Sequence, residues 1–547
     1  MIPVVDLFAG PGGLNEGFSS VGEENSKPVF NTVASFEMDK YAHQTLVLRG
    51  VYRRLKRHGE IPQSYYEYIR GSKTWAQFSS IPEIAALLEE VSAEVHQIEL
   101  GPETQSLTDS LIRSALADAL KDEKDDWVLI GGPPCQAYSL VGRSRRTKDK
   151  DFEKDKKHFL YREYLRIIGE FAPSIFVMEN VKGLLSSTNA GSKVFELILE
   201  DLTRLKGGLE YEIRSMVVDN QSGSLRPQDF VIRAENYGIP QRRHRVILVG
   251  VRKDLADRSP TATLTARESV SVRDAIEGLP KIRSGIAPVR DNSWDYWRGV
   301  RRRMRDRVKE SGVALRIANR RQVLTTGAPF LRSYIAPHDP TEYEKWILDP
   351  AIAGVTLHEA RRHMEKDLER YGYLAYRAME LKRNPTLLDL PETLQPAHEN
   401  VGKEDTPFLD RFRVQLWETP ATTVVSHIAK DGHYYIHPDP EQMRSLTVRE
   451  AARLQSFPDN YFFKGSRTQQ YSQVGNAVPP LLARQIAEKV ALMLGLGEGR
   501  QPADQLQAGT VGSVYEGSQL LGPAAVAPWP LSTEPRTDAT SSLVTEA

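Results

Sequence analysis

The stretch Asp126-Trp127-Val128-Leu129-Ile130-Gly131-Gly132-Pro133-Pro134-Cys135-Gln136-Ala137-Tyr138-Ser139-Leu140-Val141-Gly142-Arg143 decides the reading of this chain. Its first part, Trp127 to Ile130, is an apolar run the length of one buried strand. The run breaks on Gly131, Gly132, Pro133 and Pro134, which cannot continue a central strand. At the break stands Cys135, the only cysteine of the chain. A lone cysteine is usually a small buried hydrophobe. This one follows the carboxyl end of a strand, where open α/β sheets place their chemistry. With Arg143, Arg145 and Arg146 downstream to favour a thiolate, Cys135 reads as a nucleophile.

Working outward, the N-terminal residues repeat the strand-then-turn pattern. A short apolar run at 2–5 leads into Asp6-Leu7-Phe8-Ala9-Gly10-Pro11-Gly12-Gly13, and Leu14 to Val21 can open a helix. A glycine-rich turn between a first strand and a first helix lets a nucleotide-like ligand approach the backbone closely. The spacing is not that of a dinucleotide fingerprint. A second strand, Val29 to Phe36, ends at Glu37 and Asp39, where an acidic side chain can hold a ribose diol. Residues 50–125 interrupt the rhythm with polar, helical patterns such as Ile81 to Val95 and Ser106 to Leu120, and read as an insertion.

Downstream of Cys135, residues 143–158 form a mixed-sign charge run. It is read as a loop closing on an anionic polymer in preference to a merely solvated segment. Phe159 to Phe171 is an amphipathic helix. Ser174-Ile175-Phe176-Val177-Met178-Glu179 is another apolar strand ending in a carboxylate, on the edge that carries Cys135 if the two strands are parallel. Glu179 there can bind or protonate a substrate, or cap a helix. Gln241-Arg242-Arg243-His244-Arg245 leads into a strand at Val246 to Gly250, and its alternating arginines suit recognition of an anion or carbonyl oxygen.

From about 255 the rhythm is lost. Between 281 and 332 there are fourteen Lys or Arg and four Asp or Glu, with Trp294 and Trp297 interleaved. That cluster predicts a phosphate-backbone contact. Residues 340–400 look helical and mixed in charge. Thr447 or Ser445 can cap a helix running to Ser456. Gly475-Asn476-Ala477-Val478-Pro479 then precedes an apolar helix, Leu481 to Leu494. The tail from 496 is poor in large apolar residues and is expected to be disordered.

Composition sets outer limits. At 547 residues the chain should hold two or three domains. A single cysteine excludes a disulfide framework and any multi-cysteine metal site. No apolar run approaches the ~18 residues of a membrane span, and the start lacks a signal-peptide pattern. A cytoplasmic, nucleoid-associated protein with no membrane partner is expected. Formal net charge is zero, so a nucleic-acid partner must be argued from local charge.

Together these segments resemble the cytosine-C5 DNA methyltransferases of prokaryotic type, over residues 3–48, 126–252 and 412–494. Asp6 to Gly13 matches the family's first motif and Gly132-Pro133-Pro134-Cys135-Gln136 its nucleophile motif. Glu179-Asn180-Val181 matches the third catalytic element, Gln241 with Arg243 and Arg245 the Gln-x-Arg-x-Arg element, and Gly475 to Pro479 the closing one. Five such elements in the family's order are very unlikely by chance.

The resemblance implies an α/β, Rossmann-like S-adenosylmethionine-dependent methyltransferase domain with an inserted target-recognition domain. Its expected parts are a catalytic domain at 1–254 with the insertion at 50–125, a recognition domain at 255–411, the closing part of the catalytic domain at 412–495, and the tail at 496–547. It implies that Cys135 adds to cytosine C6, that Glu179 binds N3 and the exocyclic amine, and that Arg245 holds the O2 side with Arg243 in support. The cofactor is S-adenosyl-L-methionine, without a metal. Asp6, Phe8, Gly10 and Gly12 are expected around it, with Glu37 on its ribose, Met38 beside the adenine, and Pro133, Asn476 and Val478 completing the pocket.

The substrate implied is a cytosine flipped out of double-stranded DNA. The setting implied is DNA methylation or restriction-modification, with a monomer on DNA and room for a cognate restriction endonuclease. The long insertion leaves the adenine-contacting acid open, with Glu99 as the candidate. Methylation of tRNA is the alternative, but the tRNA-directed members carry a Cys-Phe-Thr element that this chain lacks. The two-cysteine RNA enzymes are excluded by the cysteine count. A cysteine hydrolase would need a base such as His158, with nothing to orient it, and a non-catalytic relative would be expected to have lost Cys135 or Glu179.

Overall fold

The computed structural model describes residues 1–22, 28–120, 126–134, 156–186, 188–189, 192–205, 208–219, 225–288, 291–312, 323–332, 338–396 and 409–496. Cys135, the charged run up to 155 and the tail from 497 lie outside them.

Strands β1 (Ile2–Leu7), β2 (Phe30–Glu37), β3 (Val95–Gln97), β4 (Val128–Gly131), β5 (Ile175–Val181), β6 (Tyr211–Arg214), β7 (Val231–Arg233) and β8 (His244–Arg252) make one sheet. Its order is β3-β2-β1-β4-β5-β8-β6, with β7 also paired to β8. The first five are mutually parallel, while β8 runs antiparallel to β5, β6 and β7. Chain order reverses between β1 and β4, so a crevice opens beyond their carboxyl ends, the place where such sheets bind ligands.

The strands read as continuous apolar runs because both faces are covered. Successive side chains alternate between two cores. Val4, Val128, Ile130, Ile175 and Val177 face α1 (Gly13–Ser19) and the C-terminal helices. Val5, Leu7, Leu129, Phe176 and Met178 face residues 105–119 and 156–171.

The helical pattern expected at 50–125 resolves into α2 (Lys40–His58), α3 (Gln63–Ile69), α4 (Trp75–Ser79), α5 (Pro82–Glu94) and α6 (Gln105–Ala119). Asp39 caps α2 by accepting from Tyr41 N at 3.0 Å and Ala42 N at 2.8 Å. The insertion is not wholly helical: α5 runs directly into β3, which extends the sheet alongside β2. Three residues with no turn before them carry too little periodicity to be seen in sequence. Helices α2 to α5 enclose their own core of Leu46, Val51, Tyr65, Phe78, Leu87 and neighbours, and one member of that core, Ile352, comes from far along the chain.

Helix α7 (Lys156–Phe171) joins β4 to β5. Farther on, α8 (Trp294–Glu310) packs Trp297, Val300, Met304 and Val308 against α9 (Glu365–Leu381). Between them β9 (Gly327–Leu331) pairs antiparallel with β10 (Val355–Glu359), so 340–400 is not simply helical. Part of the basic cluster on α8 is paired within the chain. Arg303 and Arg307 pair with Glu369 at 2.9 Å each, and Arg301 and Arg305 with Glu441. Trp294 and Trp297 stack at 5.3 Å with Arg301 over both. Acids distant in sequence pair with four of the seven Lys and Arg of α8, while Arg298, Arg302 and Lys309 stay exposed.

The chain closes with α10 (Val448–Leu454), α11 (Arg467–Asn476) and α12 (Pro480–Met493). Thr447 and Glu450 form a capping box at the start of α10. Helix α12 lies so close to α1 that a Cβ on Gly17 would come 2.4 Å from Ala483 Cβ.

Candidate active site

Five strand ends and one returning segment converge on a cavity of about 550 Å³. Asp6 in β1 with Phe8 to Pro11 after it, Glu37 to Asp39 from the end of β2 and Ile98 to Leu100 after β3 line one part of it. Gly132 to Pro134 after β4, Glu179 to Val181 in β5, and Gln469, Ser472, Gln473 and Asn476 to Val478 line the rest. Asp6, Phe8, Gly10, Glu37, Met38, Pro133, Asn476 and Val478 therefore share one space, and Glu99 joins them.

The turn after β1 is tightly wound. Phe8 has φ 56°, Gly10 57° and Gly12 91°. Positive φ is uncommon for an aromatic residue, and such residues cluster where the backbone serves a ligand. Gly12 does not line the cavity: a Cβ there would come 2.7 Å from Leu46 Cδ2. At Gly13 it would come 2.1 Å from Val478 O. These two glycines let the closing segment and α2 press against the turn.

Glu37 ties two loops together. Its carboxylate accepts from Gly10 N and Asp39 N, both at 2.7 Å. Burial raises its carboxyl above the usual range in spite of those bonds. Asp6 is fully buried, and neither of its oxygens has a hydrogen-bond partner. Burial holds its carboxyl well above the usual value against the opposing charge of Arg53, and the charge of Glu37 adds to the rise.

At the other end, Glu179 Oε1 lies 2.7 Å from Arg245 Nε. Arg245 also donates from Nη1 to His244 O at 2.9 Å. The Glu179 carboxylate passes over Gly132, where a Cβ would come 3.0 Å from Oε2. Asn180 Nδ2 donates to Pro133 O at 3.2 Å, which fixes the end of β5 to the turn that leads to Cys135. Cys135 itself lies outside the described residues.

The arginines at 243 and 245 do different things. Arg243 is 2% exposed and donates to Val424 O at 2.7 Å and Gly475 O at 3.3 Å. Burial, then the like charge of Arg245, push its guanidinium well below the usual arginine value, and Glu179 offsets part of this. Gln241 completes the brace. It donates to Leu454 O at 2.9 Å and Gln455 Oε1 at 2.8 Å, and accepts from Val424 N at 2.8 Å. Gln241 and Arg243 thus hold segments 421–424 and 454–475 onto the sheet, while Arg245 reaches the carboxylate.

Sequence reasoning missed Gln469, Ser472 and Gln473. Their signal was present: they lie at i, i+3 and i+4 of a helix that ends on Asn476, so they share its face. It also missed Tyr461, whose hydroxyl donates to Pro11 O in the glycine turn.

The model of the C-5 cytosine-specific DNA methylase family matches residues 112–491, more than half of the chain. The chain belongs to that family. It is 36% identical over 513 residues to the type II methyltransferase M.Bpa9945I of Bacillus paralicheniformis, covering 89% of this chain and 98% of the relative. The DNA (cytosine-5-)-methyltransferase M.ApeKI of Aeropyrum pernix is 29% identical over 67% of this chain and 81% of its own length. Among solved structures, a prophage-encoded Escherichia coli protein assigned as a DNA modification methyltransferase superposes with a TM-score of 0.50 at 19% identity. It spans 90% of this chain and all of its own, which shows the shared fold.

The methylase is thus an enzyme that methylates cytosine C5 in DNA, and its family and fold imply S-adenosylmethionine as methyl donor. Among the described residues no helix is long and apolar enough to cross a membrane.

Proposed function

We propose that the cavity binds S-adenosylmethionine and that its Glu179 and Arg245 end receives a cytosine flipped out of duplex DNA, with Cys135 as the nucleophile. The observation that carries this is the Glu179–Arg245 contact over Gly132, at the carboxyl edge of the sheet and opening onto the cavity. The cavity volume falls within the roughly 300–1,000 Å³ usual for ligand sites. Its residues fit the donor: Glu37 can accept from a ribose diol, Phe8 and Met38 offer apolar surface, and the unpartnered Asp6 suits a positively charged ligand. Gly10 and Pro133 bring backbone close, Asn476 and Val478 close the far wall, and Gly12 shapes the turn behind it. S-adenosylmethionine, when bound, supplies the electrophilic methyl group.

The chain's own residues prepare the base. Cys135 Sγ bonds to cytosine C6, which raises electron density at C5. Glu179 holds N3 and the exocyclic amine, and a proton delivered at N3 accepts the charge that thiolate addition pushes into the ring. Arg245 faces the O2 side, where negative charge develops, and Arg243 keeps the surrounding segments in register. Return of the N3 proton to Glu179, loss of the C5 proton to solvent and expulsion of the thiolate then restore the neutral aromatic ring.

Residues 255–411 carry target recognition in this reading, between a catalytic part at 1–254 and its closure at 412–495. Relatives bearing the type II designation support a place in restriction-modification. The test is transfer of labelled methyl groups to duplex DNA and to tRNA, with Cys135→Ser alongside. Incorporation into DNA that disappears in the variant supports the scheme; label in DNA that persists in the variant removes Cys135 from it.

A further inference from the structure

The role of the helical insertion can be read from what it grips. At the far side of its core, the turn at 349–353 is held by two residues of the α3 region. Arg70 donates from Nε to Ile352 O at 2.7 Å and from Nη2 to Ala351 O at 2.5 Å. Tyr66 donates from its hydroxyl to Asp349 Oδ2 at 3.0 Å. Ile352 fills the insertion's own core and is fully buried there. Phe330 of β9 packs on the same cluster, with the Arg70 guanidinium 5.9 Å from its ring.

The turn cannot slide. Asp349 caps it by accepting from Ala351 N at 3.0 Å, and Ala353 is left-handed with φ 52°. Gly354 follows, where a Cβ would meet Leu331 O at 2.4 Å, and β10 begins at Val355 paired to Leu331. Clamping the turn therefore sets where the β9–β10 ribbon leaves the catalytic body. That ribbon carries exposed Pro329, with exposed Arg332 just beyond β9.

Asn460 links the grip to the body. Its amide donates to Asp349 Oδ2 at 2.9 Å and to the Tyr52 hydroxyl at 2.8 Å, and accepts from Arg49 at 2.8 Å. Arg49 in turn pairs with Glu16 of α1 and lies over the Tyr52 ring at 3.9 Å.

We propose that the insertion between β2 and β4 is the seat of the recognition region, with Arg70 and Tyr66 as positioning residues that set how sharply the enzyme discriminates its DNA target. This rests on the reading that residues 255–411 recognise DNA. A guanidinium forked onto two carbonyls is a stiff link, whereas a lysine can serve only one of them well. Loosening the link lets the ribbon shift, and shifted contacts penalise the correct sequence more than incorrect ones.

The experiment is bisulfite sequencing of plasmid DNA methylated by the wild type, Arg70→Ala, Arg70→Lys and Tyr66→Phe, with cofactor affinity and Tm measured on the same preparations. The wild type comes first: if it methylates no DNA, the activity reading fails and this inference is not what has been refuted. Given wild-type activity, Arg70→Ala is expected to reduce the preference for the principal site over single-base variants by about tenfold. Cofactor affinity should stay within about twofold, Arg70→Lys should fall between, and Tyr66→Phe should move the same way to a smaller extent. An unchanged site preference in Arg70→Ala overturns the proposal. So does a uniform loss at all sites together with weakened cofactor binding, because the link would then serve general stability. If Arg70→Ala does not fold, Tyr66→Phe decides alone, since it keeps the ring in the core and removes only the bond to Asp349.

Discussion

Asp6 sits in a fully buried position with two unpartnered oxygens, and its carboxyl is held well above the ordinary range by burial. In the ligand-free enzyme it therefore stays protonated to higher pH than an ordinary aspartate. A cationic ligand beside it favours the carboxylate and lowers that pKa, so cofactor binding should release a proton. Calorimetric titration in buffers of different ionisation enthalpy would register the proton, and Asp6→Asn should abolish the buffer dependence. Equal heats in all buffers for the wild type would place the cofactor's charge elsewhere. At the other end of the cavity, Glu179→Gln keeps the shape but cannot deliver a proton. Methylation should fall by about 10²- to 10⁴-fold, with DNA affinity changed only a few-fold. A variant retaining more than a tenth of the activity would remove Glu179 from proton delivery.

At the level of elements, closure depends on contacts that admit no side chain. A methyl group on Gly13 would lie 2.1 Å from Val478 O, so Gly13→Ala must push the closing segment off the turn after β1. Overpacking of this kind costs about 1–3 kcal/mol, and here it also displaces a wall of the cavity. Both Tm and cofactor affinity should drop; a loss of stability with unaltered affinity would separate the closure from the cofactor site. Helix α8 makes the opposite kind of prediction. Because Arg305 is paired to Glu441 and Arg307 to Glu369, removing Arg305 should lower stability and leave the salt dependence of DNA binding unchanged. A true phosphate contact would instead reduce the log–log salt slope by about one.

Across the whole molecule, buried histidines set the response to acid. His358 is fully buried between Pro280 O at 2.8 Å and Thr447 Oγ1 at 3.0 Å, and burial lowers its pKa from 6.5 to about 4. His363 and His437 are lowered for the same reason. Between those values the unfolded chain binds protons that the native state refuses, so stability falls as pH drops from about 6.5 towards 4. At pH 5 His358 alone would remove on the order of 2 kcal/mol. Thermal unfolding at pH 7.5, 6 and 5 should show a steady fall in Tm. A flat profile would mean that these imidazoles are not kept neutral.

The sequence by itself determined five of the eight strands of the sheet and much of the candidate site. Apolar runs ending in Gly10, Glu37, Gly132 and Glu179 declare strand ends through local periodicity and turn chemistry, and parallel packing places such ends on one edge whatever the loops do. It did not determine β3, β6 or β7, whose three or four residues are too few to show a period. Nor did it determine the partners of α8, because Glu365, Glu369 and Glu441 are distant in sequence and only folding brings them alongside the arginines. The split between Arg243 and Arg245 was likewise decided in three dimensions: one guanidinium meets carbonyls from 424 and 475, the other a carboxylate from β5. The grip of Arg70 on residues some 280 positions later belongs to the same class. Local pattern specifies which way a strand end points, and long-range packing alone specifies what it meets there.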